Sequence, residues 1–340
     1  MKKLLLAGFL LAGIMGANAQ TISLTTATPT STTVGGSSSV RIGTNAGQLL
    51  TTGSKNIFIG KSSGYSNLTG VNNVYVGVEA GSGSLGSNNT FTGSNSGGVQ
   101  PLNVCVTPFC QTTGNFNAFY GSASGGANNG GSNNSFFGAS AGSSKNTSGS
   151  NNTYIGFSSG NNNNGSGNVF LGSNSGPLSP NSAGNSLSNT LYIDNSSTNT
   201  PLIWGDFAAD QLKLNGTVGI GAVAAFPTTV GGASVANYKL FVTGGILTDE
   251  VRVSLNNGLG TWADYVFAKD YDLKPLSEVE AFIAVNKHLP NVPSAAQVKE
   301  EGINIGDMAR IQQEKIEELT LYIIAQNKRL EALEAKIKNK

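Results

Sequence analysis

Between residues 39 and 176, apolar and polar positions alternate in short bursts that recur on one frame. Anchored on a glycine, the frame fits eight times, at Gly43, Gly60, Gly77, Gly93, Gly121, Gly138, Gly156 and Gly172. Successive glycines are near-evenly spaced except between Gly93 and Gly121, so that gap marks an insertion at 99–113 in a regular array. Four residues before the glycine stands Asn in seven copies: Asn56, Asn73, Asn89, Asn117, Asn134, Asn152 and Asn168. Two before it stands an aromatic in seven: Phe58, Tyr75, Phe91, Phe119, Phe136, Tyr154 and Phe170. The residue just before is mostly apolar, the third after is always Ala or Ser, and the fourth after is always Gly.

This pattern predicts one short strand per repeat, with the aromatic on one face and its two neighbours on the other. The paired glycines suit tight corners, and the small residue between them leaves room for the next turn of chain. One repeat cannot bury its apolar residues, whereas eight stacked ones can. Stacked strands about 4.8 Å apart give a rod on the order of 40 Å, along which Asn side chains can form ladders. Large rings in seven copies also need cover, and association between chains is the expected source of it.

Beyond the array, "TLYIDN", "PLIWGDF" and "NYKLFVTGG" read as short strands with Gly and Asn turns, as does the alternation Val251, Val253, Leu255. "NGTVGIG" lacks both the GK[ST] ending of a phosphate loop and the full GxGxxG fingerprint, and reads as a turn. Helical signals then take over. Ser277-x-x-Glu280 is a capping box opening a helix to about Lys287, Pro290 and Pro293 break the chain, and Ser294-x-x-Gln297 caps a second helix stopped by Gly302. After Asn304 a long helix runs to the end. One heptad frame places Ile316, Ile323, Leu330 and Ile337 at a, and Leu319, Gln326 and Leu333 at d, the seam of a coiled coil. An amphipathic helix packed on its own chain is the competing reading.

Charge separates the same regions. From Gln20 to Thr200 the acids are Glu79 and Asp194 and the bases Arg41, Lys55, Lys61 and Lys145, whereas Asp264 to Lys340 holds 13 acids and 11 bases. At the start, Lys2 and Lys3, an apolar run from Leu4 to Met15 and Ala17-Asn18-Ala19 form the pattern of a secretory signal peptide cleaved after Ala19. That run is too short to span a bilayer. Loss of the two lysines takes the net charge from +1 to −1, which gives no footprint for nucleic acid. Cys105 and Cys110 in "CVTPFC" read most simply as a disulfide in an exported chain, with two free thiols as the alternative. A metal site would need at least two further ligands, and the lone histidine, His288, is distant in sequence. No cofactor is expected.

The columns Asn-x-aromatic-Ile-Gly-x-x-Ala/Ser-Gly resemble the head repeats of trimeric autotransporter adhesins, over Val40 to Gly176. The repeats are longer than that family's, and the aromatic column is bulkier. The resemblance implies a left-handed parallel β-roll packed as a trimer. The stretch from "WADYVF" onward is similar to the C-terminal segment of bacterial exported tail-fibre-like proteins and, more distantly, to the self-cleaving intramolecular chaperone domain of phage tail spikes.

The expected fold class is mainly β. A signal peptide (1–19) and linker (20–38) precede a β-roll or solenoid head (39–185), a β-rich shaft (186–260), a small helical segment (261–303) and a coiled coil (304–340). Ile at a with Leu at d favours dimers, and the family resemblance favours trimers. A homotrimer is expected, because roll and coil must share one symmetry. The expected function is a non-enzymatic, secreted or cell-surface fibre with an adhesin-like role, whose partner is itself and, through the resemblance, a host, matrix or glycan ligand. Two enzymatic alternatives are weaker. Self-cleavage needs a serine where Ala263 stands before Asp264, and glycan hydrolysis needs paired carboxylates, whereas the array offers Glu79 alone with Asp194 beyond its end. Ice binding would require a Thr column, and none of the repeat columns is Thr.

Overall fold

A computed structural model describes residues 38–98, 113–143, 148–161, 163–178, 186–254 and 262–339. The expected signal peptide and the Cys105–Cys110 loop lie outside the described residues. The chain divides into two compact units between Gly216 and Thr217.

Eight three-residue strands open the first unit, one in every repeat: β1 (Val40–Ile42), β2 (Ile57–Ile59), β3 (Val74–Val76), β4 (Thr90–Thr92), β5 (Ala118–Tyr120), β6 (Ser135–Phe137), β7 (Thr153–Ile155) and β8 (Val169–Leu171). Each pairs in parallel with the next, and the register sets aromatic beside aromatic, as in Phe91 with Phe119 and Phe136 with Tyr154. The insertion leaves this register intact, since β4 pairs directly with β5 across it. The sheet does not stop at residue 185. Strand β9 (Thr190–Ile193) adds a ninth parallel rung, and β10 (Ile203–Asp206) and β11 (Gln211–Leu214) close the eleven-stranded sheet in antiparallel fashion. Asp194 fixes the reversal, accepting from Ser196 Oγ and, at 2.8 Å, from the Leu202 amide.

The aromatic column corrects one expectation. Phe58, Tyr75, Phe136, Tyr154 and Phe170 are fully buried, inside the turns of their own chain, so no association of chains is needed to cover them. Their strand neighbours at the two flanking positions face outward instead. Each repeat closes into one full turn of the roll, which gives the sheet an enclosed side that the largest side chains fill.

In the second unit, β12 (Val218–Ile220) pairs in parallel with β15 (Leu240–Val242), so "NGTVGIG" carries a strand, and β13 (Thr229–Val230) and β14 (Ala233–Ser234) form a hairpin. Residues Val251–Ser254 form no strand, contrary to the alternation, and Leu255 lies outside the described residues. A 3-10 helix (Ala263–Phe267) precedes α1 (Leu276–Asn286), α2 (Ala295–Glu301) and α3 (Ile305–Lys338). The capping box at Ser294 is present, and Asn304 caps α3 by accepting from the Gly306 and Asp307 amides. The one expected at Ser277 is absent: Pro275 occupies the N-cap of α1, which draws Ser277 into the first turn, where its hydroxyl cannot cap.

Candidate functional site

The repeat residues form two continuous lines inside the roll. The first is aromatic. From Phe58 to Tyr192 each ring stacks on the next, with centroids 5.2 Å apart at the ends and 4.7 Å apart at Phe136–Tyr154. Ring planes are nearly parallel through the middle of the stack, 4° apart at Phe136–Tyr154, and tilt by 54° at its end. Two of the Tyr hydroxyls have partners inside: Tyr75 donates to Ser84 Oγ at 2.9 Å and Tyr154 accepts from Asn163 Nδ2 at 3.1 Å. Burial pushes both phenols well above the ordinary tyrosine range, against those hydrogen bonds.

The second line is polar. Every Asn of the column is buried and spans two rungs. Asn134 Oδ1 accepts from the Asn152 amide at 3.0 Å, while its Nδ2 donates to the Gly149 carbonyl at 2.9 Å. Asn56, Asn73, Asn89, Asn117, Asn152 and Asn168 repeat this bridge, each to the rung that follows. The small column adds a third tie where it is Ser: Ser63, Ser96, Ser124, Ser159 and Ser175 donate to the carbonyl of the next aromatic. Interior backbone groups with no strand partner are satisfied in this way, as burial demands.

The two glycine columns have different causes. Gly160, at φ +67°, would place a Cβ 2.3 Å from the Tyr154 ring, whereas a Cβ on Gly156, at φ +131°, would meet the Gly172 carbonyl oxygen at 2.4 Å. The first protects the aromatic stack and the second the spacing between rungs. Two further columns in left-handed backbone conformation lie five residues before and two after the first glycine, as at Asn151 (φ 59°) and Ser158 (φ 52°). Asn, which recurs in the earlier column at Asn72, Asn88, Asn133 and Asn151, was the available signal for it.

Outside, the strands present a ridge. Tyr120 and Phe137 stack at 4.9 Å with planes 5° apart, and Ile155 and Leu171 continue the same column, all about two-fifths exposed. Tyr120 and Phe137 cover one face of each other, and with Ile155 and Leu171 they form an exposed apolar ridge.

In the second unit, α3 is clamped by its own chain on one side. The Tyr265 hydroxyl donates to Glu314 Oε2 and the Tyr271 hydroxyl to Glu318 Oε1, while Lys315 Nζ lies 2.7 Å from Glu314 and 2.9 Å from Glu318. Asn291 Nδ2 also reaches Glu314, at 3.4 Å. Glu314 is 4 % exposed. Burial raises its pKa, but Lys315, Tyr265 and Asn291 together hold it below the ordinary carboxylate range. Buried beside it, Glu317 Oε2 and Arg310 Nε have no hydrogen-bond partner. Ala263 and Val266 of the 3-10 helix are fully buried. In the heptad frame Arg310, Glu314, Glu317 and Glu318 are at b, c and f, the positions a coiled coil leaves outermost, and Lys315 is at g, on the flank of the seam. The seam is bare: Ile316, Leu319, Ile323, Leu330, Leu333 and Ile337 are 47 to 73 % exposed.

Among the described residues there is no cluster of His, Cys, Asp or Glu able to hold a metal, and no helix is long and apolar enough to cross a membrane. His288, at the rim between α1 and α2, has its Nδ1 2.9 Å from the Leu289 carbonyl and its ring edge-on to Phe282. No family model matches this chain, and neither a curated protein nor a solved structure does.

Proposed function

We propose that the protein is an exported, non-enzymatic structural fibre that assembles as a homotrimer through a coiled coil of α3 and displays the β-roll as a stiff surface. The observation that carries this reading is the division of α3 into two sides. Its polar side is covered by residues 263–291 of the same chain, and its apolar heptad seam stays exposed among the described residues. Chains that associate along the seam would bury six large aliphatic residues each, at about 1.5–3 kcal/mol per fully buried side chain. A helix meant to pack on its own chain would turn that stripe inward.

The roll supports the structural part of the reading. Its interior is occupied by the ring stack and the Asn bridges, and Asp194, one of the two acids the weaker glycan-hydrolysis alternative would have to use, holds the reversal before β10. Ala263, where the phage chaperones to which the segment is similar carry a serine, is buried and has no nucleophile, which supports a chain that remains intact. The outer ridge through Tyr120 and Phe137 is the surface on the roll most suited to contacts between copies or with a surface ligand. Light scattering on the mature chain with and without residues 305–340 tests the proposal. The intact protein should have three times the chain mass and the truncated one a single chain mass; a monomer in both would overturn it.

A further inference from the structure

Helix α1 has no buried residue, although Leu276, Val279, Phe282, Ile283 and Val285 all lie on it. Between α1 and α3 is a cleft of about 290 Å³ lined by Leu276, Val279, Leu289, Leu319 and Tyr322, with Lys315 and Glu318 at its edge. Leu319 is also a d position of the seam, so cleft and seam form one continuous apolar surface. Heptad geometry identifies what would reach it. In a parallel coiled coil, g positions of one helix lie against e positions of its neighbour. Lys315 and Tyr322 are g positions, and the Tyr322 hydroxyl donates to the Lys274 carbonyl, which ties the approach to α1 to this flank. The facing flank of a second copy carries Gln313 and Thr320 at e, with Ile324 beside them at b. Ile324 is 46 % exposed; it lies outside the seam, one heptad beyond Glu317 on the b stripe.

We infer that α1 of each copy lies across α3 of the neighbouring copy, with the neighbour's Ile324 seated in the cleft between Leu276, Val279 and Leu319. This arrangement rests on the coiled-coil assembly proposed above. It covers α1, the cleft and Ile324 at once, and it makes the helical segment a clasp between chains.

The test uses the full chain with Cys105 and Cys110 changed to Ser. Chains carrying only Val279→Cys are co-assembled with chains carrying only Ile324→Cys, oxidised, and run on a non-reducing gel. A cross-linked pair should form in the mixed assembly and in neither variant alone; Leu276→Cys in place of Val279→Cys provides an independent pair. Assembly of normal mass by light scattering without either cross-link would overturn the clasp and leave the coiled coil standing. A monomer would overturn both.

Discussion

Asn134 offers the sharpest test of how the roll is held together. Truncation to Ala leaves the Asn152 amide and the Gly149 carbonyl without the partners they have at 3.0 and 2.9 Å, and both residues are buried. An orphaned buried group costs about 1–3 kcal/mol, so two amount to about 2–6 kcal/mol, a large part of the ~5–15 kcal/mol that stabilises an ordinary domain. At about 2–4 °C per kcal/mol for a unit of this size, the melting temperature of the roll should fall by about 4–24 °C. Ser122→Ala, on the exposed surface, should stay within about 0.5 kcal/mol of the parent. Asn134→Asp sharpens the test. It keeps the oxygen that faces Asn152 and sets a second oxygen against the Gly149 carbonyl, so the carboxyl must be protonated to donate.

Burial then raises the folded-state pKa above the unfolded value of about 3.9. A carboxyl shifted in that direction destabilises the fold at neutral pH, and stability returns as pH is lowered through the raised folded value. Urea unfolding of the full chain, with hydrogen exchange read peptide by peptide, separates the roll from the helical unit. The reasoning fails if Asn134→Ala unfolds at the same urea concentration as Ser122→Ala and the Asn152 amide keeps its protection.

Gly160→Ala combines a left-handed φ of +67° with a Cβ 2.3 Å from the Tyr154 ring; about 2–4 kcal/mol of destabilisation is expected in a thermal melt. Tyr154→Phe retains the stack and removes one of the two partners of Asn163 Nδ2, which still reaches the Leu187 carbonyl, so the same melt should fall by only about 1 kcal/mol. Because Glu314 is held below the ordinary carboxylate range, its contribution is present above about pH 4.5 and is lost as pH falls through the folded value. Hydrogen exchange in 262–274 should rise on acidification, and Glu314→Gln should flatten that dependence. Glu317→Met removes a buried oxygen with no partner, together with the Oε1 that accepts from Gln313 Nε2 at 2.9 Å; Gln313 is only half-buried and can turn to water, so the melting temperature of the helical unit should hold or rise.

The frame of the roll was legible because a solenoid repeats its constraints, and eight copies print the same columns. The direction of the aromatic column was not. Period-two alternation places Tyr154 opposite Thr153 and Ile155 but does not say which side is enclosed. The closing turn decides that, and the turn is built from small and polar residues whose path no alternation reveals. One clue was present. Seven positions after the frame glycine stand Asn67, Ser84, Asn128 and Asn163, all buried, and two of them satisfy Tyr hydroxyls from inside. In the helical unit the long helix and its apolar stripe could be read off heptad spacing, whereas the clamp could not. Tyr265 meets Glu314 across 49 residues, and Tyr271 meets Glu318 across 47. Positions b, c and f of a heptad ordinarily face water, so nothing local marked those acids as buried.

The Asn bridge also accounts for where parallel stacking ends. At the first rung the column holds Ser39, whose Oγ accepts from the Asn56 amide at 3.1 Å. From there each carboxamide passes one acceptor and one donor forward, up to Asn168, whose Oδ1 accepts from the Thr190 amide at 3.0 Å. Thr190 cannot continue the relay. Its hydroxyl is directed to the Ser188 carbonyl, two residues away in its own rung, and it has no second polar atom to reach forward. A tenth parallel rung would therefore bury a backbone carbonyl with no side-chain donor to reach it. The chain instead reverses through the Asp194 turn, and β10 and β11 pair in antiparallel fashion. The length of the roll follows from the one column that holds Asn. Thr190→Asn alone would leave that turn in place, so extending the roll requires a further whole repeat inserted before β9.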